Sequence, residues 1–218
     1  MANFEIAYQL TAGHEGGYQN HPNDTGNYNS AGQNVGTNWG INAQVYEAHI
    51  GHPPTEADMR SMSRSVAKQI YRAKYWDSIR GDQIADQQLA NIWYDGRVNH
   101  GYTGTKLMQR VLNVPDDGHV GPVTLGAVNA TDPRPTFYAY RQKRIDFYHY
   151  LANNRPGLSV FLTGWLRRIN SFEYGSPSSH PVATLPGSNG STSPTATSGS
   201  AAAGGLAVLA LAAFIIFQ

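Results

Sequence analysis

Apolar and aromatic side chains recur at helical spacing along most of the chain. Phe4, Ala7, Tyr8 and Thr11 share one face of a first predicted helix, which ends at Gly13. The same period predicts further helices from about 41 to 51, over 63–76, about 86–99 and 104–113, from Pro122 onward, and over about 134–153 and 158–172. The pattern therefore indicates a mainly α protein in which most aromatic stripes pack in the core.

Helix start signals support these boundaries. Thr55 opens a Thr-x-x-Asp sequence that matches a capping box, and Ser63 is suited to cap the helix that follows it. Pro122 is suited to the first position of a short helix, where its missing N–H costs nothing.

Residues 19–40 interrupt the helical pattern. They are rich in Asn, Gly, Pro, Ser and Asp, which predicts a long loop or a small, poorly regular hairpin. Long loops inside compact domains are usually functional, so we expect this segment to border a site.

The last part of the chain has a different composition. Residues 176–200 consist almost entirely of Ser, Pro, Thr, Gly, Asn and Ala, which predicts a flexible linker. Residues 201–217 are uncharged and mostly apolar, and as a helix they would extend roughly 25 Å, the short limit for crossing a bilayer. We expect a C-terminal transmembrane helix, with a buried terminal helix as the alternative. Its orientation stays open because no Lys or Arg lies beside it.

Charge and cysteine content exclude several classes. The formal net charge is +1, which gives no electrostatic reason to expect a nucleic-acid partner. The sequence has no cysteine, which excludes disulfides, thiol nucleophiles and Cys-ligated zinc without identifying the compartment. The N-terminus lacks the basic region and long apolar run of a secretory signal.

The segment His14-Glu15-Gly16-Gly17-Tyr18 is the strongest candidate for chemistry. It is not the His-Glu-x-x-His of a zinc protease, since position 18 is Tyr, and His14 with His21 alone makes a weak metal case. Glu15 follows a helix C-terminus, where the helix dipole and nearby aromatic rings favour the protonated acid. A carboxylic acid protonated near neutral pH is what glycoside cleavage needs as its general acid.

Glycoside hydrolysis usually requires a second carboxylate, and Asp24 lies in the Gly- and Asn-rich segment. Two interpretations of Asp24 are possible, and the chemistry of the residue does not decide between them. It is either that second carboxylate or the Asx-turn residue of Asn23-Asp24-Thr25-Gly26.

Five ordered motifs resemble glycoside hydrolase family 108, a family of phage endolysins and secretion-associated muramidases. They are Glu15-Gly-Gly-Tyr with His21-Pro-Asn-Asp24, Gly36-Thr-Asn-Trp-Gly-Ile41, Asp95-Gly-Arg-Val-Asn-His-Gly101, Asp117-Gly-His-Val-Gly-Pro-Val-Thr-Leu125 and Phe161-Leu-Thr-Gly-Trp-Leu-Arg-Arg168. The third is similar to the segment between the two parts of the family's proteins. The fourth resembles its C-terminal peptidoglycan-binding part.

The resemblance implies a lysozyme-like fold with a catalytic part at 1–98 and a helical peptidoglycan-binding part at 99–175 packed on it. It also implies cleavage of the β-1,4 bond between N-acetylmuramic acid and N-acetylglucosamine. Glu15 matches the family's catalytic Glu, while Asp24 and Thr37 fall where phage-type lysozymes hold the attacking water. The spacing between Asp24 and Thr37 departs from that pattern, because residues 27–35 look like an insertion.

We expect the glycan to contact five further residues: His14, Tyr18, Asn38, Trp39 and Asp95. Tyr18 and Trp39 are suited to stack on sugar rings, although packing is the alternative for both. No metal or cofactor is expected.

The expected protein is a monomeric muramidase of phage-type host lysis, anchored to the membrane by its tail and acting on the bacterial wall. Alternatives are a lytic transglycosylase, which needs one acid, and a non-catalytic, membrane-tethered wall-binding protein. A cell-encoded secretion or remodelling muramidase is the alternative for its deployment.

Overall fold

The computed structural model describes residues 1–12 and 16–175, and this part of the chain is mainly helical. Its α-helices are α1 (Phe4–Thr11), α2 (Ala43–Ile50), α3 (Glu56–Ser61), α4 (Arg64–Tyr71), α5 (Gln87–His100), α6 (Tyr102–Val111), α7 (Pro122–Ala130), α8 (Pro133–Asn154) and α9 (Leu162–Asn170). The mainly α prediction is confirmed.

Several predicted helix boundaries are confirmed by their caps. Thr55 and Asp58 form a reciprocal capping box at α3. The Ser63 side chain caps α4, and Gly51 ends α2 in the left-handed conformation. Pro122 is the first residue of α7.

Two predicted helices are less regular than the pattern suggested. The helix expected from Ser63 to Trp76 is α-helical only as far as Tyr71 and continues as a π-helix over Arg72–Trp76. Short 3-10 turns follow at Asp77–Ile79 and Gly81–Gln83. The single helix expected over 158–172 is a 3-10 turn at Ser159–Phe161 followed by α9.

The polar segment before α2 contains a small hairpin, as one of its two predicted forms. Strands β1 (Thr37–Asn38) and β2 (Ile41–Asn42) pair antiparallel, with Thr37 opposite Asn42. Single bridges join Gln19 to Thr37 and Tyr28 to Asn34, and a 3-10 turn lies at Thr25–Asn27. This segment covers one side of the molecule with hydrogen-bonded loops.

One continuous hydrophobic core runs from Ala2 to Phe172. Helix α5 is central to it, because it packs against α1 on one side and against α6 and α8 on the other. Helices α5 and α6 approach closely at Gly104, where an added Cβ would lie 2.2 Å from the Gly96 carbonyl oxygen. Residues of the first and second halves of the chain therefore share the same interior.

The predicted linker (176–200) and transmembrane segment (201–217) lie outside the described residues. Within residues 1–12 and 16–175, no helix combines the length and apolar character needed to cross a bilayer.

Candidate active site

Helix α1 ends where the candidate acid was predicted to follow. Ala12 caps it with its backbone N–H bonded to the Tyr8 carbonyl, and the carbonyl of Thr11 accepts a hydrogen bond of 3.0 Å from Arg168. His14 and Glu15 themselves lie outside the described residues, and the description resumes at Gly16. The described part of the candidate site therefore consists of the end of α1 and the residues from Gly16 onward.

Asp24 is buried, with 3% of its surface exposed. Its Oδ1 accepts the backbone N–H of Gly26 at 3.0 Å, which makes it the cap of the Thr25–Asn27 turn. Its Oδ2 accepts from Gln19 Nε2 at 3.2 Å. The Asx-turn geometry is thus present, and the carboxylate is also part of a side-chain network.

Thr37 joins the same network through Asn27. The Thr37 hydroxyl donates to Asn27 Oδ1 at 2.7 Å, and Gln19 Nε2 donates to that oxygen at 3.1 Å. Asn27 has no exposed surface and also donates to the His21 carbonyl at 3.0 Å. Asp24 and Thr37, although separated by the 27–35 segment in sequence, are therefore connected through Gln19 and Asn27.

The residues predicted to be an insertion form a compact turn. The Asn29 backbone N–H donates to the Gln33 carbonyl, and its side-chain Oδ1 accepts the N–H groups of Ala31 and Gln33. Val35 and Gly36 N–H groups both bond to the Asn27 carbonyl. Residues 27–35 thus form hydrogen bonds with one another, and the chain continues from them into β1 at Thr37.

Tyr18 is partly exposed and packs against the loop. Its hydroxyl donates to the Val35 carbonyl at 3.1 Å, and the Arg60 guanidinium lies 3.8 Å from the centre of its ring. Partial burial, together with the negative charge of Glu56, raises the pKa of the Tyr18 phenol above its ordinary value. Tyr18 therefore presents a neutral ring with one face already covered by a cation.

Trp39 lies in the two-residue turn between β1 and β2. Its φ is 52° and that of Gly40 is 71°, so both central residues have the positive φ that a type I′ turn requires. Such a conformation is costly for a large side chain. Its indole N–H donates to the Met62 carbonyl at 2.8 Å, and Arg64 lies 4.8 Å from its ring. These contacts hold a half-buried indole at the hairpin tip.

Asn38 and Asp95, both expected to contact the glycan, lie buried in the structure. Asn38 is 3% exposed, and its amide donates to the Met59 carbonyl at 2.8 Å. Asp95 has no exposed surface, and Arg144 and Arg168 occupy its two carboxylate oxygens. The polar groups of both side chains thus bind partners inside the protein.

The Asp95 ion pairs connect distant elements. Arg144 on α8 is fully buried and donates to Asp95 Oδ2 at 2.7 Å and to the Ile92 carbonyl at 3.1 Å. Arg168 on α9 donates through Nε to Asp95 Oδ1 at 3.0 Å while reaching the Thr11 carbonyl. The end of α1 is thereby tied to α5 and α9.

Sequence reasoning missed Gln19 and Asn27 as site residues and missed Arg144 as the buried partner of Asp95. Polar loop residues carry no periodic signal, and an arginine on a helix usually faces solvent. The position of Asp95 among the apolar residues of the predicted helix was the available indication that it would be buried and opposed by a cation.

Comparisons with known proteins agree with this architecture. The family model described as Glycosyl hydrolase 108 matches residues 8–101, and one described as Predicted Peptidoglycan domain matches residues 103–170. Among solved structures, that of Brucella abortus SagA is similar, with a TM-score of 0.64 and 27% sequence identity over 77% of this chain and 89% of that one. No curated protein matches the chain. Residues 8–101 are thus similar to Glycosyl hydrolase 108 proteins and are followed by a peptidoglycan-binding part, and the chain is a glycoside hydrolase acting on cell-wall peptidoglycan.

Proposed function

We propose that the protein is an N-acetylmuramidase that cleaves the β-1,4 bond between N-acetylmuramic acid and N-acetylglucosamine. The observation that supports this most is the Gln19–Asn27 network, which connects Asp24 with Thr37 in the loop that follows Glu15. The catalytic part comprises residues 1–98, and the wall-binding part comprises residues 99–175.

Glu15 is the proposed general acid. Helix α1 ends at Thr11, so the segment carrying Glu15 follows the negative end of a helix, which favours a protonated carboxyl group. Glu15 donates its proton to the glycosidic oxygen that leaves with N-acetylglucosamine. Water adds to C1 of N-acetylmuramic acid and the C1–O bond breaks, so the new reducing end is on the muramic acid.

Substitution of Glu15 by Gln tests this role, because the amide cannot donate an acidic proton. The variant is expected to release reducing ends from purified peptidoglycan at least about a hundredfold more slowly than the wild type. Glu5→Gln is the matched control, since Glu5 is a partly exposed residue of α1 that pairs with Lys68. Wild-type rates in Glu15→Gln would overturn the proposal.

Asp24 and Thr37 are proposed to orient the attacking water. Asp24→Asn separates this role from the Asx turn, since asparagine retains an oxygen for the Gly26 N–H but loses the charge and the oxygen that accepts from Gln19. A catalytic carboxylate predicts a large fall in kcat with a small fall in melting temperature. Asp24→Ala, which removes both functions, should lower kcat and melting temperature together.

One observation favours a second candidate, a lytic transglycosylase. Asp24 is buried and each of its oxygens already accepts a hydrogen bond, which suits a reaction that depends on a single acid. That reaction forms anhydro-muramic ends without adding water. Mass spectrometry of the released muropeptides separates the two, because hydrolysis predicts reducing ends, and activity in Asp24→Asn with anhydro ends would select the transglycosylase.

Tyr18 and Trp39 are proposed to stack on sugar rings, with His14 as a further glycan contact. The guanidinium groups of Arg60 and Arg64 lie over their rings, so a sugar is expected on the opposite faces. Trp39→Asn removes the ring while retaining a residue that tolerates positive φ. It should raise KM severalfold with little change in melting temperature, whereas a pure packing role predicts the reverse.

For deployment, we propose a phage-type lysis enzyme that is monomeric and held at the membrane by residues 201–217. The uncharged, apolar character of that segment supports this. Membrane fractionation should recover the full chain in the pellet and a truncation after Gly175 in the supernatant. Equal partitioning of the two would refute the anchor, while light scattering of the truncated chain tests the monomer.

A further inference from the structure

Arg97 on α5 is a buried cation with no acidic partner among residues 1–12 and 16–175. It is 6% exposed, its Nε donates to Ser78 Oγ at 2.9 Å, and its guanidinium carbon lies 4.0 Å from the centre of the Tyr102 ring. In residues 1–12 and 16–175, no carboxylate forms an ion pair with it, and its Nη1 has no hydrogen-bond partner. Buried charges in proteins are normally paired, so this one requires an explanation.

Two lysines, the exposed Lys74 and the partly exposed Lys106, lie near Arg97 and near Tyr102 respectively. Lys74 is on the π-helical turn Arg72–Trp76, a type of irregularity frequent at functional sites. Partial burial and the neighbouring charge of Arg97 lower the pKa of Lys74. Lys106 on α6 lies beside Tyr102 at Gly118, where an added Cβ would be 3.3 Å from both side chains.

The nearby acids are already occupied. Asp116 pairs with Arg110, and Asp117 accepts hydrogen bonds from the Gln109 amide and from the backbone of His119. Neither Lys74 nor Lys106 forms an ion pair with any described residue. The surface formed by Lys74, Arg97, Tyr102 and Lys106, here called the cationic cluster, therefore has an uncompensated positive charge.

The cationic cluster lies where the two family matches meet. The first match ends at residue 101 and the second begins at residue 103, beside the half-exposed Tyr102. A ligand here would contact the π-helical turn and α5 of the catalytic part together with α6 of the wall-binding part. Such a position suits recognition of a chemical group that recurs along the substrate.

We propose that the cationic cluster binds the free carboxylates of the peptide stems of peptidoglycan. The inference rests on peptidoglycan being the substrate. Where a stem is attached, the lactyl carboxyl of muramic acid is part of an amide bond, so the free carboxylates of the substrate lie on the peptide stems. A guanidinium can donate two parallel hydrogen bonds to a carboxylate, and lysines supply additional positive charge. Because Arg97 Nη1 is shielded from solvent, the ring of Tyr102 must rotate away to admit the carboxylate, and such side-chain rotation is fast at an exposed position.

Binding is tested with the full chain carrying Glu15→Gln, so that the walls are not digested. The probes are sacculi free of teichoic acids in three forms: intact, stripped of stems by an amidase with the lactyl carboxylates so exposed then converted to amides, and intact with carboxylates converted to amides. The protein is expected to bind intact sacculi several times more tightly than the other two forms. Equal binding to intact and amidated sacculi would overturn the proposal, as would a preference that survives removal of the stems.

Substitutions in the cationic cluster test whether it causes the preference for intact sacculi. Lys74→Met changes an exposed side chain and Lys106→Met a partly exposed one, and each should weaken binding to intact sacculi about two- to fivefold, without affecting stripped glycan. Arg97→Met should weaken it about tenfold, with circular dichroism checking its fold. Lys143→Met, an exposed lysine of α8, is the matched control. Lysine variants that bind as tightly as this control would refute the site.

Failure of the muramidase proposal can be distinguished from failure of the cationic cluster proposal. If the wild type releases no muramic reducing ends, the proposed bond specificity is wrong, yet the binding comparison is still readable. If reducing ends are released but the three forms of sacculi bind alike, only the cationic cluster proposal fails.

Discussion

Replacement of Asp95 by Asn tests whether the buried ion pairs of Asp95 stabilise the fold. Asp95 is fully buried and receives charged hydrogen bonds from Arg144 at 2.7 Å and from Arg168 Nε at 3.0 Å. Asparagine has nearly the same shape, but it presents an amide N–H group toward the two guanidinium donors. The substitution therefore removes the negative charge and leaves two cations close together.

The expected loss follows from the burial of this group. Removing one member of a buried ion pair typically costs about 3–5 kcal/mol, because the remaining charge loses its compensation. In a protein of this size each kcal/mol lowers the melting temperature by roughly 2–4 °C, so a decrease of about 6–20 °C is expected. Loss of the Arg168 contact should also loosen its hydrogen bond to the Thr11 carbonyl and lower activity.

The pH dependence has a defined sign. Burial alone would raise the pKa of Asp95, but the charges of Arg168 and Arg144 outweigh it and hold the pKa well below its usual range. A lowered pKa in the folded state stabilises the protein above the unfolded pKa of about 3.9, and this contribution falls as the pH drops further. The difference between wild type and Asp95→Asn should be constant from about pH 5 to 8 and shrink below about pH 4.

Chemical and thermal unfolding of both proteins measure this difference, with Asp116→Asn as the control. Asp116 forms an exposed pair with Arg110, and its substitution should change the melting temperature little. If Asp95→Asn were no less stable than Asp116→Asn, the buried network would not stabilise the fold as argued.

Three further predictions concern the fold. Burial chiefly, and the charge of Arg144, lower the pKa of His100, so stability should decline below about pH 6.5 by up to about 1.4 kcal/mol per pH unit, and His100→Asn should flatten this decline in a melting series. Gly104→Ala should prevent normal packing, because its Cβ would meet the α5 backbone at 2.2 Å, while Gly126→Ala in α7 has open space and should raise stability by about 0.5–1 kcal/mol. Thr55→Ala removes the capping box of α3 and should cost about 1 kcal/mol in denaturant unfolding, whereas an unchanged midpoint would contradict that role.

The helices could be predicted from the sequence because their ends carry local capping signals. The capping box at Thr55, the αL glycine at Gly51 and Pro122 at the first position of α7 each act within one turn of chain. The π-helix at Arg72–Trp76 was not readable, because its hydrophobic period differs little from that of an α-helix over five residues. Its cause is tertiary, since Tyr75 and Trp76 are both buried in the core.

The residue types of the candidate site could be predicted from the sequence, but most of their hydrogen bonds could not. Asp24 had two readings because an Asx turn and a second carboxylate use the same side chain, and the structure provides the turn together with a network. That network depends on Asn27, which is brought beside Thr37 by the return of the chain after residue 35. Such long-range loop hydrogen bonds leave no pattern in a sequence.

Asp95 shows why a motif residue need not be a substrate contact. It lies in the motif at the end of the first matched region, yet its carboxylate faces Arg144 on α8 and Arg168 on α9, both in the second region. Through Arg168 that second region also holds the Thr11 carbonyl, at the end of the helix that precedes Glu15. Since one core and one buried ion network span both regions, the wall-binding part supports the geometry of the catalytic part as well as contributing its own surface. The Asp95 carboxylate therefore couples the two matched regions through its ion pairs with Arg144 and Arg168.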